Sequence, residues 1–234
     1  LGMGSKLWYL PLEQLDERYT GMLYDHTISE FERLGVNYEV IEGETLATEV
    51  DTGQVLDAES RNYYAMEQIQ TLLKKIKSGE VEDGDVVFNQ DFWHMGILSL
   101  AYSQALRDDL DLGVYGFVCS GSFEEWDFIN QQGMSPWAEP LEKAWTEAYD
   151  GLFVANGRMQ DMVMDVAENP GKIHITGLPL SQEWIYDRVE PKPSSQKEDI
   201  VVFPHRWDKE KDPEMFNRLA HVTERDDVRL VHTT

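Results

Sequence analysis

Residues Gly84 to Leu98 read GDVVFNQDFWHMGIL. After the glycine, DVVFNQ holds a short apolar run without the polar alternation of a half-wet strand, so it reads as a buried strand. His94–Leu106 then carries helical spacing. A buried strand that feeds directly into a helix is one half of a βαβ unit.

The same pairing recurs in both directions. Toward the N-terminus, Lys6–Pro11 (KLWYLP) is a short apolar run. Tyr19–Leu34 follows with Leu23, Ile28, Phe31 and Leu34 on one helical stripe, stopped at Gly35. VNYEVIEG is a second strand, Leu46–Leu56 is ambiguous, and Ala58–Lys77 has helical spacing through Tyr64, Ile69, Leu72, Leu73 and Ile76. Toward the C-terminus, LGVYGFVCS is a strand. SPWAEPLEKAWTEAY opens a helix with Ser135 as N-cap and Pro136 first inside it. GLFVAN, Gly157–Ala167 and KIHITG continue as strand, helix and strand. Strands separated by helices require crossover connections, so the chain predicts an α/β fold: a Rossmann-like, mainly parallel sheet with helices on both faces. Ligands of such sheets sit beyond the carboxyl ends of the strands, so the loops after Pro11, Asn89, Cys119, Asn156 and Gly177 are expected to share one cleft.

Composition narrows the function. The chain has 234 residues, 41% of them apolar, and a net charge of −24 from 44 acidic and 20 basic side chains. That field repels nucleic acid and anionic lipid, so any anion site must be local. Between Ser78 and Glu142 one basic residue, Arg107, faces thirteen acidic ones, a pattern that a solvated acidic face also explains. One cysteine, Cys119, permits neither an internal disulfide nor a cysteine-based metal cluster, and no metal site is expected. No apolar run is long enough to span a membrane, and no secretion signal opens the chain. The expected location is the cytoplasm, or the host cytoplasm if the chain is viral.

After Trp184 the texture changes to YDRVEPKPSSQKED, which reads as a linker. The expected organisation is a domain over 1–187, a linker over 188–198, and over 199–234 the beginning of a second Rossmann-like domain, one βαβ unit long. IVVFPHR is its strand and loop, Pro213–Val222 its helix and VRLVHTT its next strand. Between strand and helix, H-R-W-D-K-E-K-D-P-E-M-F concentrates cations in an acidic chain. This resembles the opening of the donor-binding domain in retaining GT-B glycosyltransferases of the glycogen-synthase-like group, whose pattern is G-R-L-x-x-E-K-G. The closer form, HRW followed by K-x-P-E-x-F, is similar to the tRNA-queuosine mannosyltransferase branch and to phage-encoded glycosyltransferases. Arg206 and Lys211 keep the five-residue spacing of arginine and lysine, while His205 and Asp212 stand where that pattern has glycine. The resemblance implies that Arg206 and Lys211 grip the diphosphate of a nucleotide sugar, with no cofactor besides that donor and no metal. The chemistry agrees: breaking a glycosyl–phosphate bond leaves charge on the diphosphate, which a guanidinium and an ammonium stabilise more in the transition state than before it.

GDVVFNQDFWHMGIL in turn is similar to the D-V-V-H-x-H-D-W-H segment of the same group, with Asn89 and Gln90 where histidines are common and one extra residue between Asp91 and His94. By that likeness Asp91 and His94 are the catalytic candidates, His94 touching the transferred sugar or the acceptor hydroxyl; a structural cap or a satisfied core residue is the other reading of a single histidine. The cleft and acceptor candidates are Arg18 and Tyr19 after the first strand, and Ser120, Gly121 and Trp126 in CSGSFEEWDF. Aromatic faces and carboxylates there suit sugar stacking and hydroxyl binding, and a lid packed on its own domain suits them equally. No dinucleotide fingerprint, phosphate loop, HExxH or G-x-S-x-G motif is present.

The sequence therefore predicts a glycosyltransferase that moves a sugar from a nucleotide sugar to an acceptor hydroxyl. The acceptor is a small molecule or glycan, favoured by charge, or a modified base in nucleic acid, favoured by the resemblance. A non-catalytic ligand-binding or partner-docking α/β protein is the alternative. The terminal unit is expected to be a catalytically incomplete donor domain, whose exposed strand edges favour homo-oligomers.

Overall fold

The computed structural model describes residues 5–15, 19–46, 57–205, 211–222 and 229–232. In chain order the first elements are β1 (Leu7–Leu10), α1 (Tyr19–Leu34), β2 (Tyr38–Val40), α2 (Ala58–Ser78), β3 (Val86–Asn89), α3 (Ile97–Ala105) and β4 (Gly113–Val118). There follow α4 (Phe128–Gln131), α5 (Ser135–Ala148), β5 (Gly151–Val154), α6 (Gly157–Met164), β6 (Ile173–Ile175) and α7 (Gln182–Arg188). The six strands form one sheet in the order β2-β1-β3-β4-β5-β6, and every pairing is parallel. This is a Rossmann-like α/β fold.

The strand order dictates which face each helix covers. Parallel crossovers are right-handed, and only the β1-to-β2 connection runs toward the β2 edge, so α1 alone falls on one face while α2, α3, α5 and α6 fall on the other. The packing follows. On the crowded face Trp8, Leu10, Val87, Val114, Leu152 and Val154 meet Ile69, Leu72 and Ile76 of α2, Ile97 and Leu100 of α3, Trp145 of α5 and Val163 of α6. On the α1 face an aromatic row crosses the sheet: Tyr9 lies 5.5 Å from Phe31 of α1 and 5.8 Å from Phe88, Phe88 lies 6.2 Å from Phe153, and Phe153 lies 5.9 Å from Tyr115. Tyr115 lies flat because its neighbours are glycines. A Cβ at Gly113 or Gly151 would come within 3.0 or 2.8 Å of its ring.

Helix α2 shows how local sequence sets the elements. The Asp57 carboxylate accepts from Ser60 N–H at its start, and Gly79 closes it at φ 80°, where the left-handed backbone suits a residue without Cβ. Two starts differ from expectation. Helix α3 begins at Ile97, because a turn over Phe92–Gly96 precedes it, with His94 N–H donating to Phe92 O and Ile97 N–H to His94 O. Helix α5 is capped at Met134 rather than Ser135, whose hydroxyl instead donates to Asn130 Oδ1. The ambiguous segment Leu46–Leu56 falls, from residue 47 on, outside the described residues.

Beyond α7 the residues up to 199 are exposed and include one 3-10 turn, Ser194–Gln196. Then β7 (Ile200–Phe203), α8 (Pro213–Val222) and β8 (Arg229–His232) form a separate two-stranded parallel sheet, the βαβ unit read from the sequence. No helix among the described residues is long and apolar enough to cross a membrane.

Glycines 43 and 21 provide a paired test of this packing. A Cβ on Gly43 would stand 2.2 Å from Tyr64 O of α2, whereas nothing lies within 4 Å of one on Gly21 inside α1. Gly43→Ala should cost about 1–3 kcal/mol by forcing the segment after β2 off α2. Gly21→Ala should add roughly 0.5–1 kcal/mol. Urea unfolding of the two variants should shift in opposite directions.

Candidate functional site

The order β2-β1-β3 creates one topological switch point, between β1 and β3. From β1 the chain turns to the α1 face, and from β3 to the other, and beyond the carboxyl ends of two such strands is where open α/β sheets form their ligand crevice. Several backbone groups there need partners, and Gln68, a buried amide on α2, supplies them. Its Nε2 donates to Pro11 O and to Ile41 O, each at 2.9 Å, and its Oε1 faces His94 Nε2 at 3.2 Å. Gly96 N–H donates to the other ring nitrogen, Nδ1, at 3.1 Å. Since Nδ1 accepts, Nε2 carries the proton, and the imidazole is neutral with both nitrogens engaged. Only 4% of His94 is exposed. Burial, reinforced by the nearby Arg61 charge, lowers its pKa to about 4.

Asp91 and His94 belong to one cluster around Arg61. The guanidinium of Arg61 donates through Nη2 to Asp91 Oδ2 at 2.5 Å, and Trp93 N–H donates to Oδ1 at 3.2 Å. Burial raises the Asp91 pKa, and Arg61 opposes that shift. Cys119, at the end of β4, senses both charges, and burial pushes its thiol well up, so it stays protonated. Behind them Asn89 Nδ2 donates to Asp91 O and to the Tyr149 hydroxyl, which donates to Phe92 O. Gln90 lies on the opposite side of the strand from Asn89 by the alternation of side chains. Its backbone N–H pairs with Leu10 O, and its Oε1 accepts from Leu12 N–H at 2.7 Å.

The loop after β4 is pinned from beneath by Glu142 of α5, a fully buried carboxylate. Glu142 Oε1 accepts from Ser122 N–H at 2.7 Å and Trp93 Nε1–H at 2.9 Å, and Oε2 accepts from the Ser122 hydroxyl. Burial raises its pKa against these hydrogen bonds. The carboxylate also explains Gly121, where a Cβ would lie 2.9 Å from Glu142 Oε1 and 2.3 Å from the Phe123 ring.

Of the sequence-predicted site residues, the structure thus gathers Asp91 and His94 around Arg61, and holds Ser120 and Gly121 at the adjoining end of β4. Trp126, 61% exposed, lies farther along that loop, and Tyr19, 58% exposed, opens α1. Arg18 and Arg206 lie outside the described residues. Lys211 precedes α8 in the two-stranded unit, beside an open apolar groove of about 450 Å3 lined by Phe203, Met215, Phe216 and Leu219. Asp212 follows at φ 47° and accepts from Met215 N–H at the helix start.

Arg61, Gln68 and Glu142 were missed. Their one signal in the sequence is a polar residue on an otherwise apolar helical stripe, as with Gln68 between Tyr64 and Leu72. Among the described residues no group of three or more acidic, cysteine or histidine side chains is placed to hold a metal ion. No family model matches the chain, and no curated protein matches it.

The His94 geometry predicts a pH dependence. Its folded-state pKa of about 4 lies below the ordinary 6.5, so between these values the unfolded chain binds more protons. Its contribution is complete above about pH 6.5 and falls by on the order of 3 kcal/mol as pH drops to about 4. The raised pKa values of Asp91 and Glu142 act in the opposite sense, so the comparison must isolate the ring. Unfolding free energies measured from pH 7 to 4 should fall less steeply in His94→Gln than in the wild-type protein.

Proposed function

We propose that this chain is a glycosyltransferase of the GT-B kind, retaining and metal-independent, that transfers a sugar from a nucleotide sugar to an acceptor hydroxyl. The six-stranded unit is the acceptor side, and the βαβ unit of β7, α8 and β8 carries the grip on the donor diphosphate. Arg206 and Lys211 offset the charge that develops as the glycosyl–phosphate bond breaks. The amides opening α8 add to the same field.

The observation that carries this reading is the backbone at Asp212. The resembled pattern has glycine after its lysine, and here the residue after Lys211 takes φ 47°, the left-handed conformation that favours glycine. Aspartate is among the few other residues that tolerate it. That one position therefore takes a backbone conformation a glycine adopts readily, although the residue has changed. A strand, a cationic loop and a helix start in one parallel βαβ unit also match the architecture in which phosphates are bound at helix N-termini.

The test is a panel of nucleoside diphosphates and nucleotide sugars read by thermal shift, since ligand that binds the folded state raises its stability. At least one should stabilise the wild-type chain. Arg206→Ala and Lys211→Ala should each weaken that binding by about 1.5–3 kcal/mol, the range for a hydrogen bond to a charged group. Undiminished affinity in both variants discards the assignment.

A further inference from the structure

Gln90 is 3% exposed, and its Nε2 is a buried nitrogen without a hydrogen-bond partner. The amide cannot turn to hide it. Leu12 N–H holds Oε1 at 2.7 Å, and a flipped amide would set donor against donor. Natural folds rarely leave such a donor unmatched without a reason. Its position is the carboxyl end of β3 at the switch point, one residue from Asp91. By strand alternation Gln90 lies on the α1 side and Asn89, bonded to Tyr149, on the other, where Arg61 of α2 meets Asp91.

From this arrangement we infer that the β1/β3 crevice is a binding site for a neutral, polyhydroxylated ligand of the saccharide class, with Gln90 Nε2 as its buried donor and the Arg61–Asp91 pair as its second contact. The unmatched Gln90 N–H groups require an acceptor oxygen. Arg61 spends one N–H on Asp91 and offers further donors, while the Asp91 carboxylate keeps lone pairs for a donor. A hydroxyl both donates and accepts. Among the described residues charge selects against an anion: Arg61 is balanced by Asp91, His94 is neutral, and the chain carries a net charge of −24. The inference rests on the glycosyltransferase reading only in taking this ligand to be the acceptor.

The probes are maltose, sucrose and methyl glucoside, set against glucose 6-phosphate, glucuronate and a short single-stranded oligonucleotide, all titrated into the full chain by calorimetry. A neutral saccharide should bind at millimolar concentrations in preference to its charged counterparts. Gln90→Glu keeps an acceptor for Leu12 N–H and replaces the donor with an oxygen, so it should weaken that binding about tenfold. Arg61→Lys, which retains the charge facing Asp91 but loses the forked donors, provides the same readout if Gln90→Glu does not fold. The inference is overturned if no neutral saccharide binds, if a charged probe binds more tightly, or if the variant that folds binds as the wild type does. Nucleoside-diphosphate affinity should be unchanged in either variant. Loss of nucleotide binding by the wild-type chain would remove the glycosyltransferase reading while leaving this site in place.

Discussion

The carboxyl edge of the sheet depends on one buried amide. Where β1, β2 and β3 end side by side, the carbonyls of Pro11 and Ile41 just beyond β1 and β2 and the ring of His94 are buried, and a buried polar group left unpaired costs about 1–3 kcal/mol. Gln68 meets this constraint with a single side chain, joining Pro11 O, Ile41 O and His94 Nε2 to the middle of α2. The consequence extends along the chain. With Nε2 fixed as donor, His94 Nδ1 is free to accept from Gly96 N–H, and that bond shapes the turn from which α3 starts. Gly96 is confined to glycine by the same packing, since a Cβ there would lie 2.2 Å from Ile69 Cγ1.

The crevice above this amide is electrically quiet inside a strongly charged protein. Among the described residues its histidine is held neutral by burial, its cysteine is held protonated, and Arg61 is matched by Asp91. A buried ion pair adds little net stability, because desolvation offsets the attraction, but removing either partner leaves an expensive unpaired charge. Arg61 and Asp91 are therefore tied to each other in position. That pairing ties the first turn of α2 to the end of β3.

The sequence and the structure agree where local pattern decides the outcome. Helix α1 is legible from Leu23, Ile28 and Phe31 at helical spacing with Gly35 behind them, and β3 from its apolar run after Gly84. They part where a side-chain contact outside the local pattern decides. Nothing near His94 in the chain announces that Gln68 will bind its ring, so the helix signal after β3 was extended three residues too far. Ser135 looks like a cap until Asn130 accepts its hydroxyl. Asn89 and Gln90, read first as departures from a histidine pattern, divide between two faces of the strand. One closes a buried network with Tyr149, and the other braces Leu12. Glu142 is the extreme case, since a glutamate in an amphipathic helix reads as solvated until Trp93 and Ser122, 49 and 20 residues away, converge on it.

The two recognition chemistries proposed for this chain follow from its charge. A net charge of −24 acts over about a Debye length, roughly 8 Å at physiological ionic strength, so it opposes the approach of any polyanion yet fades at direct contact. Binding a diphosphate against that field requires short-range, charge-assisted hydrogen bonds from cations fixed in place, which suits the cationic loop before α8. Binding a neutral saccharide involves no such opposition and requires only unmatched donors and acceptors held out of water, which suits Gln90 and the Arg61–Asp91 pair. Placing both demands on one surface would set the arginine of the crevice between its aspartate and the phosphate. In the proposed arrangement the two demands fall on two different sheets, which avoids that conflict.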